Sequence, residues 1–262
     1  MEAQGGVPLL FYLAVSPQEQ EHGASCSQRL ACAAYRIGPS SSLLREVSLS
    51  ALSNGLPLIS DRNAPVISDA EKLAQAVLRE CSRRKSAGAV LDFESPPTPD
   101  RLQFAKICAR LLSSRQLALY VPELYAVPGS IPLINTAVSG GNFTEYLQDA
   151  LRRYGHAALD VQRLCMDFSL PAPSGTGTAM RQDQLSAILR QTCPQVFFSQ
   201  DLCAKYFTDS RNGQTHFILY DDGDTLRKKM QIGSSLGFYA AFLMYPEVSD
   251  LPQDFWKALP AI

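Results

Sequence analysis

Ser86-Ala-Gly-Ala-Val-Leu-Asp-Phe-Glu-Ser-Pro-Pro97 runs from small apolar residues into two acids and then a proline break. Side chains alternate faces along a β-strand, so Asp92 and Glu94 project the same way, about 7 Å apart, while Leu91 and Phe93 face the other side. If the strand is central to its sheet, both carboxylates enter one pocket. A barrel enzyme keeps its acids at such strand ends.

The surrounding sequence has the rhythm of repeated βα units, apolar runs of strand length separated by helical patterns. The strand candidates are Leu9 to Val15, Ala31 to Ile37, Leu56 to Ser60, Ala87 to Glu94, Leu117 to Pro122, Arg163 to Phe168, Gln195 to Ser199 (with or without His216 to Tyr220) and Phe238 to Tyr245. Their number and the 262-residue length predict a single (β/α)8 TIM barrel, α/β in class, over residues 1–262.

Helix signals support the alternation. Ser68-Asp-Ala-Glu71 reads as a capping box, with Leu73, Ala74, Val77, Leu78 and Cys81 repeating on one face beyond it. Thr98-Pro99-Asp100 places an N-cap before a proline at the first helical position. Asn142-Phe-Thr-Glu145 opens a helix that stops at Gly155. Asp224 is expected to cap another that ends near Gly237, with Arg227, Lys228 and Lys229 on its surface, and the adjacent Asp221 and Asp222 read as caps of the same helix and not as metal ligands. Residues 16–30, 123–141 and 169–182 read as loops.

Composition narrows the function classes. The net charge of −1 leaves no basic footprint for nucleic acid or anionic membrane. No apolar run approaches 18 residues, and the N-terminus lacks a basic, leader-like start, so a cytoplasmic protein is expected. The seven cysteines are odd in number, have no C-x-x-C pair and read as reduced core thiols. His22, His156 and His216 stand apart from any second ligand, so neither a metal nor a cofactor is expected. The Gly-containing stretches Ser139–Gly141 and Ser174–Thr178 lack the lysine and strand-turn-helix setting of a phosphate loop, and there is no G-x-S-x-G elbow.

A D-x-E triplet is common, and alone it is far more often a helix cap or loop contact than a catalytic pair. Its neighbours here are more specific: Gly88-Ala-Val-Leu-Asp-Phe-Glu-Ser-Pro96 resembles the catalytic strand of glycoside hydrolase family 18, whose pattern is D-G-x-D-x-D-W-E followed by Pro. Asp92, Phe93 and Glu94 match, while Ala87 and Val90 replace two earlier acids. His216 to Met230 and Leu236 to Tyr245 are similar to the end of the spore-cortex branch, where Tyr-Asp-Asp precedes a Ser/Thr-x-Arg-x-Lys helix and a last strand. Gly55 to Ser60 and Cys165-Met-Asp-Phe168 occupy the places of the family's Ser-x-Gly-Gly and Met-x-Tyr-Asp segments. The resemblance spans roughly residues 50–248.

It implies a substrate-assisted, retaining hydrolysis of β-linked N-acetylglucosamine glycans of the peptidoglycan or chitin type. Glu94 would protonate the leaving oxygen and then activate water, and Asp92 would orient the substrate acetamide. Tyr12, Glu123, Tyr125, Asp167, Phe168 and Tyr245 are the expected sugar contacts. Phe168 and Ser169 stand where the family has Tyr-Asp, and Met244 or Tyr245 where it has a floor Trp. Those replacements open the alternative of an impaired, chitinase-like protein that binds glycan or acts as a scaffold.

Overall fold

The computed structural model describes residues 9–27, 29–46, 55–170, 177–211 and 213–259. Residues 1–8, and residues 171–176 of the expected loop 169–182, lie outside them.

Eight parallel strands close into a barrel in the order Leu10–Val15, Leu30–Gly38, Leu56–Ser60, Gly88–Asp92, Ala118–Pro122, Ile131–Asn135, Ala158–Val161 and Ala240–Met244. The first strand pairs with both the second and the last, which completes the ring. A short antiparallel strand, Ser42–Arg45, continues the second strand as a hairpin.

Alternation along each strand separates two apolar layers. Tyr12, Ala14, Ala31, Leu56, Leu58, Val90, Tyr120, Ala158, Ala240 and Phe242 fill the barrel interior. Leu13, Ile59, Leu91, Leu119, Ile134, Leu159 and Leu243 point outward against the helices. Helix Ala70–Arg84 contributes Leu73, Ala74, Val77 and Cys81 to that outer layer. Burial of Leu73 and Val77 contributes about 1.5–3 kcal/mol each.

Gly88 sets the approach of the fourth strand to the fifth. A Cβ there would lie 2.1 Å from the Ala118 carbonyl oxygen, so only glycine fits this register.

The helix starts follow the capping chemistry with two shifts. Thr98 and Asn142 are the N-caps of Pro99–Ser113 and Phe143–Tyr154, as the sequence predicts. The cap of Ala70–Arg84 is Asp69, whose carboxylate accepts from the Lys72 amide at 2.9 Å; Ser68 Oγ lies 3.2 Å from Ser41 Oγ instead. Asp222, not Asp224, caps Gly223–Leu236 through the amides of Asp224 and Thr225. Gly237 closes that helix in the left-handed region at φ 93°.

The barrel membership of three expected strands is corrected. Cys165–Leu170, Phe197–Ser199 and Gln214–Tyr220 belong to a separate antiparallel sheet, with Thr178–Ala179 and Ala204–Arg211, inserted between the seventh and eighth barrel strands. Helix Gln182–Thr192 packs Leu185, Ile188 and Leu189 on one face of it. Their places in the barrel are taken by Ile131–Asn135, inside an expected loop, and by Ala158–Val161. Another expected loop holds a short helix, Gln20–Cys26.

A buried ion pair joins sheet and barrel. Lys229, expected on a helix surface, has a fully buried side chain whose Nζ donates to Asp221 Oδ2 at 2.7 Å and to the Thr136 carbonyl at 2.9 Å. All seven cysteines are free; Cys32, Cys81, Cys108, Cys165 and Cys203 are buried, but Cys193 is exposed. Among the described residues no helix is long and apolar enough to cross a membrane.

Candidate functional site

A cleft of about 420 Å³ opens over the C-terminal ends of the barrel strands, within the range of small-molecule sites. The fourth strand delivers Asp92 and Glu94 to it, with Phe93 turned into the outer core. Phe93 packs edge-on against Tyr125, ring centres 5.0 Å apart, and also contacts Phe104. The hydrophobic anchor of the middle residue therefore fixes the direction of the two acids that flank it.

Backbone contacts hold Glu94 beyond the strand end. Its amide donates to Asp61 Oδ1 at 3.0 Å, and the buried Asp61 carboxylate lies 3.2 Å from Arg101 Nε. That last contact is a charge contact without hydrogen-bond alignment. The Tyr125 hydroxyl donates to the Ser95 and Pro96 carbonyls at 2.9 and 3.2 Å, pinning the proline turn that follows.

The sixth and seventh strands supply the opposite wall. Asn135, Asp160 and Gln162 form a side-chain relay: Asn135 Nδ2 donates to Gln162 Oε1 at 2.8 Å, and Gln162 Nε2 to Asp160 Oδ2 at 2.7 Å. Leu58, Val90, Leu133 and Phe242 make the floor, and Met244 and Glu247 reach the rim.

Two carboxyls are held partly neutral. Burial, then the charges of Glu94 and Asp61, push Asp92 up to about 6. Burial also pushes Asp160 up to about 6; the Gln162 hydrogen bond opposes the shift, while Glu247 and Asp92 add to it. An acid poised near neutrality can both give and take a proton, the property required of a general acid–base group.

The structure gathers part of the expected set. Asp92, Glu94 and Glu123 line the cleft. Glu123 also pairs with Arg153 at 2.7 Å and accepts from the Tyr154 hydroxyl at 3.1 Å. Tyr12 does not line it: it stacks on Phe242 inside the barrel, beneath the floor, with ring centres 4.9 Å apart. Tyr125 is buried in the outer layer.

Asp167 and Phe168 lie in the inserted sheet, where Asp167 binds Arg211 and His216 and Phe168 packs near Phe217. They fall away from the cleft because their strand pairs with Gln214–Tyr220, not with the barrel. Tyr245 begins the helix Tyr245–Val248 and packs toward Trp256, leaving Met244 at the rim. Asn135, Asp160, Gln162 and Glu247 were not singled out in the sequence. The signal for Asp160 was the alternation in Ala158-Leu-Asp-Val161, directly after the helix stop at Gly155.

Among the described residues no group of three or more His, Cys, Asp or Glu could hold a metal ion.

No protein-family model matches the chain, and no curated protein matches its sequence. Solved structures match its fold over nearly the whole length. The spore cortex-lytic enzyme SleL of Bacillus megaterium QM B1551 superposes with a TM-score of 0.67 at 14% identity, covering 98% of this chain and 74% of that one. A chitinase from Chromobacterium violaceum gives 0.67 at 14% identity, covering 96% and 98% of the two chains. A chitinase-like agglutinin from Robinia pseudoacacia gives 0.65 at 12% identity, covering 95% and 98%. The chain thus shares the barrel fold of chitinases, a cortex-lytic enzyme and an agglutinin.

Proposed function

We propose that the chain is a divergent family-18-like glycoside hydrolase acting on β-linked glycans that contain N-acetylglucosamine. The observation that carries this reading is the shared exposure of Asp92 and Glu94 to one cleft at the strand ends, with Asp92 pushed up to about 6. Glu94 is the proton donor to the leaving oxygen and the base for the returning water. Asp92 orients the substrate acetamide and stabilises the positive charge that develops as the acetamide oxygen attacks the anomeric carbon.

The acetamide needs an uncharged donor as well. Asn135 and Gln162 are the neutral amides at the cleft, and each keeps an N–H beyond the relay that binds them together. In this reading they stand in for the donor that Phe168 lacks.

A second reading is a glycan-binding protein without efficient turnover. It is favoured by Met244 at the rim, where the family has a stacking Trp, and by the agglutinin among the proteins of the same fold. A fluorogenic N-acetylglucosamine oligomer separates the two. Release by the wild type that is abolished in Glu94→Gln supports hydrolysis, and undiminished release in that variant removes Glu94 as the acid. Calorimetric binding of the oligomer without release supports the binding protein.

A further inference from the structure

The N-terminal end of the barrel, opposite the cleft, carries a second cavity of about 560 Å³. It lies where the helices Ala70–Arg84 and Pro99–Ser113 end and the chain turns into the fourth and fifth strands. Arg79, Lys85 and Arg115 form its exposed rim. Half-buried Leu78 and Leu117 are its walls, and buried Cys81 and Ser86 its floor.

Among the described residues no Asp or Glu lines this cavity, and none of the three cations has a carboxylate or hydrogen-bond partner for its side chain. Neighbouring arginines are neutralised, Arg83 and Arg84 by Glu80 and Arg110 by Glu71. Cations often serve the last carbonyls of a helix, which are left without intrahelical donors. Here those carbonyls are occupied. The Cys81 carbonyl accepts from the Lys85 and Ser86 amides, and the Ser82 carbonyl also from Lys85. On the other helix the Arg110 carbonyl accepts from the Ser114 amide, and the Leu112 carbonyl from those of Arg115 and Leu117. Lys85 moreover takes the left-handed C-cap position at φ 54°, which favours glycine. Its charge is thus held at the mouth of the cavity against the backbone preference.

We propose that this cavity binds a soluble phosphate monoester with an apolar ester group, the phosphoryl oxygens meeting Arg79, Lys85 and Arg115 and the apolar group lying against Leu78 and Leu117. Three cations match the charge of about −1.5 to −2 that a monoester carries at neutral pH. Two of them are guanidinium forks, which pair with phosphate oxygens bidentately. The volume falls within the range of small-molecule sites. The site is separate from Asp92 and Glu94 and does not depend on the glycan reading.

The test is calorimetry at pH 7.5 and low salt with hexyl phosphate, inorganic phosphate and hexanol, and sedimentation with vesicles of phosphatidylcholine and phosphatidylglycerol. Hexyl phosphate is expected to bind one-to-one and at least about tenfold more tightly than inorganic phosphate or hexanol. Arg79→Gln and Arg115→Gln should each weaken it roughly three- to tenfold, as for charge-assisted bonds at an exposed rim. Lys85→Gly should weaken it similarly without lowering the unfolding midpoint, because glycine suits that backbone; a structural role for the lysine would lower the midpoint. Arg62→Gln is the control. It removes an equal, exposed charge just beyond the third strand, at the other end of the barrel, and should leave the affinity unchanged.

Absence of hexyl phosphate binding overturns the proposal, as does inorganic phosphate or hexanol bound equally tightly. Equal weakening by Arg62→Gln assigns the binding to overall charge, and binding to the vesicles alone assigns the patch to a membrane surface; either result overturns the site. All of these outcomes leave the glycan reading standing, because none of the varied residues lines the cleft.

Discussion

The carboxylate of Asp61 accepts a hydrogen bond from the backbone amide of Glu94 at 3.0 Å, so a buried acid directly after the third strand positions the exposed acid that follows the fourth. Asp61 also holds Arg101 and adds to the elevation of Asp92. Asp61→Ala should cost about 2–4 kcal/mol in urea unfolding, because it removes a charge-assisted bond and strands a guanidinium. It should also lower the Asp92 pKa, read by NMR titration of the side-chain carboxyl. An unchanged Asp92 titration would show that the two acids are not electrostatically linked.

The elevated acids make stability fall with pH across a defined window. Asp92 and Asp160 titrate at about 6 in the folded chain and near 3.9 when unfolded, so between roughly pH 4 and 6 the folded state holds more protons. The stabilisation is present in full below the unfolded value and lost as pH rises through the folded one. Asp160→Asn, which removes the charge, should therefore stabilise the protein at pH 7.5 by on the order of 1–3 kcal/mol and change little at pH 4. Denaturant melts at the two pH values check this, and an equal effect at both would contradict it.

The parts of the fold that were legible in the sequence are those whose cause is local. Leu91 and Phe93 alternate with Asp92 and Glu94, and Thr98 and Asn142 announce their helices, because each rests on neighbours within a few residues. The sixth strand was hidden by Pro132, which removes a ladder donor and makes the segment read as loop, although it pairs with Val121. The seventh is only four residues long. Cys165–Leu170 and Gln214–Tyr220 have the apolar content of barrel strands, but their partner is each other, and nothing local encodes a pairing across so many residues. Asp160 was missed with its strand, and Asp167 and Phe168 were misplaced with theirs.

The Lys229–Asp221 pair should behave as a fastener between the inserted sheet and the barrel. Both side chains are fully buried, and Asp221 Oδ2 also accepts the Leu164 amide at 2.9 Å. Lys229→Met leaves an uncompensated carboxylate and should cost about 3–5 kcal/mol. The double variant Lys229→Met/Asp221→Asn removes that charge and keeps an acceptor for Leu164, so it should recover much of the loss. Equal destabilisation in the single and double variants, measured by urea titration, would mean that packing and not charge holds the junction.

Gly88 links the closure of the barrel to the placement of Asp92 four residues later on the same strand. The Cβ of an alanine would meet the Ala118 carbonyl oxygen at 2.1 Å, its carbon at 2.8 Å and the Ala118 nitrogen at 2.9 Å, all backbone atoms that cannot rotate aside. The fourth and fifth strands would have to separate, at a cost of about 1–3 kcal/mol or more, and the strand end would shift with them. Gly140→Ala is the matched control, since nothing lies within 4 Å of its added Cβ, and it should change stability by no more than about 0.5 kcal/mol. Gly88→Ala is therefore expected to lower both the unfolding midpoint and the affinity for glycan oligomers, while Gly140→Ala leaves the midpoint in place. A Gly88→Ala variant as stable as the wild type would mean that the two strands have slack at this register.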